Sequence, residues 1–303
     1  MDSPLQSASL SMKQVGFTLS TRHGALNMRG RTAVMGILNV TPDSFSDGGQ
    51  YMDSEVAIAR GIELAAQGAD IIDIGGESTR PGALDVTAEE EMERVLPIVR
   101  GLRHAVSLPL SIDTTKADVA RRALDEGADV INDVSALRFD PEMVSLAARE
   151  KVPVVLMHMQ GHPRTMQVQP QYQDLLKEVC DFLRERVTAV VAAGVAPDAI
   201  MIDPGIGFGK NLDHNLTLMR CLAEFKALGR PILVGASRKT FIGMVLQLSA
   251  QDRLEGSLAA AVAAAFGGAH MVRVHDVKET VRALRVVDGI RFGLPKTREE
   301  QTR

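Results

Sequence analysis

Short apolar runs recur along this chain, each ending abruptly in polar residues and glycine and each separated from the next by a stretch with helical spacing. Strands are expected near residues 33–38, 70–74, 110–112, 130–132, 153–157, 200–202, 231–234 and 271–274, with helical patterns between them such as 54–67 and 87–104. Runs that are apolar throughout, rather than alternating, suit parallel strands buried on both faces. Eight strand and helix units close a (β/α)8 TIM barrel, an α/β fold. Gly68, Gly127 and Gly194 stand just past periodic segments, where helices end in left-handed backbone. Before the first strand, residues 15–31 alternate around His23-Gly24 and predict a short N-terminal β-hairpin, placed to plug the barrel bottom. Residues 1–14 and 295–303 read as flexible tails, leaving one barrel domain over 15–294.

Composition narrows the function. A chain of 303 residues with 45% hydrophobic residues has the length and the core material of one such barrel. A net charge of -4, with Lys and Arg scattered, excludes a nucleic-acid footprint. The apolar stretch 258–266 is far shorter than the ~20 residues of a membrane helix, so it is expected to face the core and no membrane partner is expected. Cys180 and Cys221 lack any CxxC or Cys/His spacing and read as free thiols. The Ser-rich start lacks the charged lead and apolar stretch of a secretory signal, so a cytoplasmic location is expected.

The strand ends carry the chemistry. Asp73, Asp113, Asn132 and Asp203 all fall at or near strand ends, where a barrel converges side chains on its axis. Taken singly, each reads equally as a cap for the following helix or turn. Together they form an acidic rim that repels itself unless a cation or a donor-rich ligand sits among them. Arg80, Lys239, Arg273 and His275 supply the opposite charge, and the last three follow late strands, where barrels often bind phosphate. Arg273 also reads as a plain ion-pair partner of Asp276 or Glu279. The polar loop 39–49, with Pro42 and paired glycines, reads as a lid or as a turn capping a helix at Ser54. His158 and His162 make only a weak metal pattern, and Met157, Met159 and Met166 read as packing on a pocket floor. There is no GxSxG, P-loop or GxGxxG fingerprint, and neither cysteine stands at a strand end as a nucleophile.

Six motifs, taken in order, resemble those of the dihydropteroate synthases of the pterin-binding barrel family. They are residues 39–49, Gly76-Glu77-Ser78-Thr79-Arg80-Pro81-Gly82, Ile131-Asn132-Asp133-Val134-Ser135, Asp203-Pro204-Gly205-Ile206-Gly207-Phe208-Gly209-Lys210, Ser237-Arg238-Lys239 and Arg273-Val274-His275-Asp276-Val277. The resemblance spans residues 33–292. It implies condensation of 4-aminobenzoate with 6-hydroxymethyl-7,8-dihydropterin diphosphate to give 7,8-dihydropteroate and diphosphate. It further implies magnesium, a cytoplasmic homodimer and a sulfonamide target.

The roles implied fall on Asp113, Asn132, Asp203 and Lys239 for the pterin, with Met157 in the same pocket, and on Arg273 and His275 for the departing diphosphate. Asn39 is the implied neutral oxygen ligand of magnesium. Phe45, Thr79, Arg80, Pro81, Phe208 and the Lys239 stem would shape the second pocket, with Thr240 at a helix start receiving the carboxylate, a position where serine is more usual. Asp47, Phe45 and Arg80 would close over the substrates. Asp113, Asp203, Lys239, Arg273 and His275 are then the catalytic set, and the expected step is dissociative and SN1-like, its cation stabilised by the acidic rim. The arylamine is already nucleophilic and needs no strong base. Two rival readings are a pterin-dependent methyltransferase, which has no diphosphate to hold, and a non-catalytic pterin-binding paralogue. The apolar late segments 254–266 and 281–287 could supply a dimer face, and an ordinary barrel exterior explains them equally well.

Overall fold

A computed structural model describes residues 16–40, 50–78, 85–162 and 165–293, the side chains of 50–53 excepted. A two-stranded antiparallel hairpin, β1 (Thr18–Thr21) and β2 (Gly24–Asn27), precedes the main sheet. The sheet comprises β3 (Ala33–Asn39), β4 (Ile71–Gly75), β5 (Leu110–Asp113), β6 (Val130–Asp133), β7 (Val154–Met157), β8 (Ile200–Asp203), β9 (Leu233–Val234) and β10 (Met271–Val274). Its order is β8-β7-β6-β5-β4-β3-β10-β9, all parallel, and an Ile202 to Ile232 bridge joins the outer strands into a closed barrel. Between and after the strands run α1 (Gln50–Ala66), α2 (Ala88–Ala105), α3 (Ala117–Asp125), α4 (Glu142–Glu150), α5 (Leu175–Ala192), α6 (Leu212–Arg220), α7 (Thr240–Leu246), α8 (Leu254–Gly267) and α9 (Val277–Phe292).

All eight expected strands are present. β9 is the shortest, two residues rather than four: Pro231 has no N–H to give a neighbouring ladder, and the Ile232 N–H donates to His270 Nδ1 at 3.1 Å. The glycine stops hold as well: Gly68, Gly127 and Gly194 have φ of +101°, +109° and +105°. The tails assigned to residues 1–14 and 295–303 and most of the lid at 39–49 lie outside the described residues.

Alternation along the strands divides two cores. Outward residues such as Ile72, Ile74, Leu110, Ile112 and Ile131 pack under the helices. Inward Met35, Ile71, Val130, Val155, Met201, Leu233 and Met271 fill the barrel floor, and the hairpin closes that floor from below with Leu19, Leu26 and Met28. Each such fully buried side chain contributes about 1.5–3 kcal/mol. The hairpin is fastened at its turn, where the His23 backbone N–H donates to Asp129 Oδ1 at 3.0 Å. The small-residue helix α8 buries Ser257, Ala261, Ala264 and Ala265 and leaves Phe266 exposed, so only one side of it faces the core as expected. Among the described residues no helix is long and apolar enough to cross a membrane.

Candidate active site

Above the apolar floor the inward positions turn polar. Asp73 on β4, Ser111 and Asp113 on β5, Asn132 on β6, Asp203 on β8 and Arg273 on β10 occupy successive inward positions toward the carboxyl ends of their strands. Asp73 is fully buried; its Oδ2 accepts from Asn132 Nδ2 at 2.9 Å and from Arg273 Nε at 2.5 Å. The second arm of the same guanidinium donates to Asp113 Oδ2 at 2.7 Å. Strands distant in sequence are thus knotted by one cation on the axis. Of the two readings the sequence left open for Arg273, the ion pair with Asp276 is not the one formed: an inward side chain on a barrel strand reaches the axis, so its guanidinium lies between the two carboxylates. Asp276 is taken instead by Arg238, whose Nε donates to it at 3.0 Å.

Asp203 Oδ1 accepts the Gly205 N–H at 2.7 Å, which folds the loop after β8 back over its strand. Lys239, after β9, donates to the Ile206 carbonyl at 2.5 Å and lies 3.9 Å from the Phe208 ring centroid. Its stem rests on Gly207, where a Cβ would lie 2.7 Å from Lys239 Cδ, and a φ of +84° there favours glycine as well. His275 Nδ1 lies 3.0 Å from Ser237 Oγ, which also accepts the His275 backbone N–H at 3.2 Å. Val134, Met157, Met159 and Met166 form a small apolar cluster against Phe208.

Burial shapes the titration of these groups. It pushes the Asp113 carboxyl up to about 7, with Arg273 pulling it back and Asp73 adding to the rise. Burial also raises Asp203, opposed by the Gly205 N–H and by Lys239 and Lys210. It draws the Lys239 amine down to about 7, against the attraction of Asp203. Arg273 goes the other way: despite its burial, Asp73 and Asp113 hold its proton more tightly than usual. Asp73 Oδ1 and Ser111 Oγ are buried and, among the described residues, have no hydrogen-bond partner.

Of the residues expected at the site, Asp113, Asn132, Met157, Asp203, Phe208, Lys239, Arg273 and His275 are brought to this end of the barrel. Thr240 opens α7 and is exposed. Asn39 ends β3, the strand between β10 and β4, and is exposed. Phe45, Asp47, Thr79, Arg80 and Pro81 lie outside the described residues. His158 and His162 do not pair on a metal, since His158 Nδ1 faces Lys210 at 2.9 Å and His162 stacks on Phe139. Sequence reasoning assigned no role to Ser237 as the partner of His275 or to Lys210; a hydroxyl two residues before a strand-end lysine and a lysine closing a glycine run were the available signals.

Known proteins resemble this chain over most of its length. The family described as pterin binding enzymes matches residues 35–275. A dihydropteroate synthase of Escherichia coli is 50% identical over 255 residues, covering 84% of this chain and 90% of its own. Two solved structures superpose closely. One is a Yersinia pestis dihydropteroate synthase in a sulfonamide drug complex, with a TM-score of 0.86 at 46% identity, covering 91% of this chain and 99% of its own. The other is a Xanthomonas albilineans dihydropteroate synthase with 4-aminobenzoic acid, with a TM-score of 0.84 at 47% identity, covering 89% of this chain and 96% of its own.

The chain belongs to the family of pterin-binding enzymes. Within that family its place is among the dihydropteroate synthases, transferases of folate biosynthesis.

Proposed function

We propose that the residues converging at the carboxyl end of this barrel join 4-aminobenzoate to 6-hydroxymethyl-7,8-dihydropterin diphosphate, releasing diphosphate and forming 7,8-dihydropteroate. The observation that carries this reading is the interlocked set of Asp73, Asp113 and Asn132 with Arg273, beside Asp203 and Lys239. A pterin is flat and edged with N–H donors and acceptors, and Asp113, Asn132 and Asp203 offer oxygens to the donors while Lys239 offers protons to the acceptors. Met157 and its apolar neighbours keep that pocket dry.

In the reaction the bond between the pterin CH₂ and the diphosphate oxygen breaks, its electron pair leaving with the oxygen. The electron-rich ring carries the positive charge that develops, and the carboxylates at the rim stabilise it without having to reorganise. Arg273 and His275 receive the departing diphosphate; Arg273 serves because its guanidinium already stands at the axis, and part of its hydrogen bonding passes from Asp113 to phosphate oxygens. The arylamine nitrogen then forms the new C–N bond and sheds a proton, which a weakly basic neighbour or water accepts. Phe208, the Lys239 stem and Thr240, together with Phe45, Thr79, Arg80 and Pro81, are assigned to the second substrate, and Asp47 to closure.

The donor set fits magnesium that arrives with the diphosphate. Asn39 is a single exposed neutral oxygen at the rim beside β10, and magnesium commonly takes few protein ligands, completing its shell with phosphate and water. Bound there, the ion would neutralise charge on the leaving group. We further assign the chain to a cytoplasmic homodimer. The two cysteines are free thiols, suited to a reducing compartment.

The test is formation of 7,8-dihydropteroate from the pterin substrate with magnesium, with and without 4-aminobenzoate. Dihydropteroate is expected only with both substrates, diphosphate release alone being permitted by the dissociative step when water traps the cation, and its rate should fall by about two orders of magnitude or more in Arg273→Ala or Asp203→Asn while thermal unfolding stays cooperative. No dihydropteroate from both substrates, or near-normal rates in those variants, defeats the reading.

A further inference from the structure

One buried lysine at the rim has no part in the chemistry above. Lys210 is 2% exposed, yet its Nζ finds three acceptors: His158 Nδ1 at 2.9 Å, the Phe208 carbonyl at 2.9 Å and the His158 carbonyl at 3.4 Å. An ammonium has three protons, so the site is matched to a cation held by neutral groups. Burial pulls its amine down to about 7, with Asp203 opposing the fall. His158 follows β7 and Phe208 follows β8, so this single group fastens two adjacent loops of the rim.

The backbone around it leaves no slack. A Cβ on Gly205 would overlap the His158 carbonyl oxygen, and one on Gly209 would lie 2.7 Å from the Gln160 carbonyl oxygen, so the two loops touch main chain to main chain. Gly205, Gly207 and Gly209 all have positive φ, of +72°, +84° and +63°. In the same loop the Lys239 stem lies on Gly207, with its ammonium over the Phe208 ring. A buried cation is a poor choice for stability alone, since an apolar side chain of the same length avoids the desolvation cost.

We infer that Lys210 is a positioning residue: by holding His158 and the Phe208 carbonyl it fixes the Phe208 ring and the Lys239 stem that lies against it, the wall met by the second substrate. This rests on the assignment of Phe208 and Lys239 to the 4-aminobenzoate pocket.

The experiment is steady-state kinetics of the full chain with each substrate varied in turn. A loop displaced by a fraction of an ångström is expected to raise KM for 4-aminobenzoate at least about tenfold in Lys210→Met, with KM for the pterin diphosphate, which shares Lys239, rising by no more than about threefold. His158→Leu removes one acceptor and spares both carbonyls, so a smaller rise in the same KM is expected, and the double variant should be no worse than Lys210→Met alone. Because KM does not depend on the fraction of molecules folded, the comparison survives partial unfolding. An unchanged KM for 4-aminobenzoate alongside a lowered Tm makes Lys210 a mere stabiliser and overturns the inference, as does an equal rise in both KM values. If Lys210→Met does not fold, His158→Leu decides by the same criterion. A parent chain that forms no dihydropteroate counts against the condensation itself, and is told apart from failure of the tether by that control.

Discussion

Asp133, at the end of β6, is fully buried, accepts the Ser135 N–H at 2.6 Å through Oδ1, and has no partner for Oδ2 among the described residues. Burial pushes its carboxyl from 3.8 up to about 6, with the Ser135 bonds opposing. Between those values the folded chain keeps a proton that the unfolded chain has released. Its contribution to stability is therefore full below about pH 4 and is lost as pH rises toward 6, at roughly 1.4 kcal/mol per pH unit. Asp133→Asn should flatten that segment of the stability profile, read from urea midpoints across pH 3.5 to 7; a parallel profile would remove the group from the account. Its motif neighbour Asn132 was legible as a site residue because it lies at a strand end. That Asp133 points out of the barrel and Asn132 into it follows from the two-residue period of the strand, once its register is set.

The loop between β4 and α2 is held at both of its ends. Glu77 Oε1 accepts the Val86 N–H at 3.2 Å and its Oε2 accepts from Lys116 at 2.6 Å, while Arg94 donates to the Gly76 carbonyl at 2.8 Å. Lys116 also donates to Glu91 at 2.6 Å, and Glu91 is fully buried in α2. Burial raises the Glu91 carboxyl and the Lys116 contact opposes this. Lys116→Met strands Glu91 and should destabilise the chain by about 3 kcal/mol, the lower end for a broken buried pair because Glu91 can take up a proton instead. Adding Glu91→Gln should recover most of the loss. Denaturant unfolding of both variants checks this, and a single variant as stable as the parent would remove the clamp from the ledger of what holds the loop. The capping box of α2, Thr87 with Glu90, is written in four consecutive residues and was open to sequence reading. The clamp was not, since Glu77, Glu91 and Lys116 come from three different elements.

For the whole molecule, α8 and α9 present Phe266, Val286 and Ile290 at 52%, 63% and 69% exposure. Val286 and Ile290 are one helical turn apart and share a face. If this is the contact of the proposed homodimer, a charge placed there forfeits apolar burial worth about 1.5–3 kcal/mol per side chain, roughly tenfold or more in association. Val286→Glu with Ile290→Glu should move the sedimenting species from dimer to monomer with Tm little changed; a parent that already sediments as a monomer removes the premise.

The sequence by itself determined the barrel, the order of its elements, the glycine stops of its helices and the strand ends at which chemistry would gather, because periodicity, glycine conformation and strand polarity are local properties. Only the tertiary structure decided that Arg273 sits between Asp73 and Asp113 and that Lys210 bridges two loops. Arg273 and Asp73 stand 200 residues apart, and closing the barrel is what sets their side chains on one axis, where burial makes each charge depend on the other.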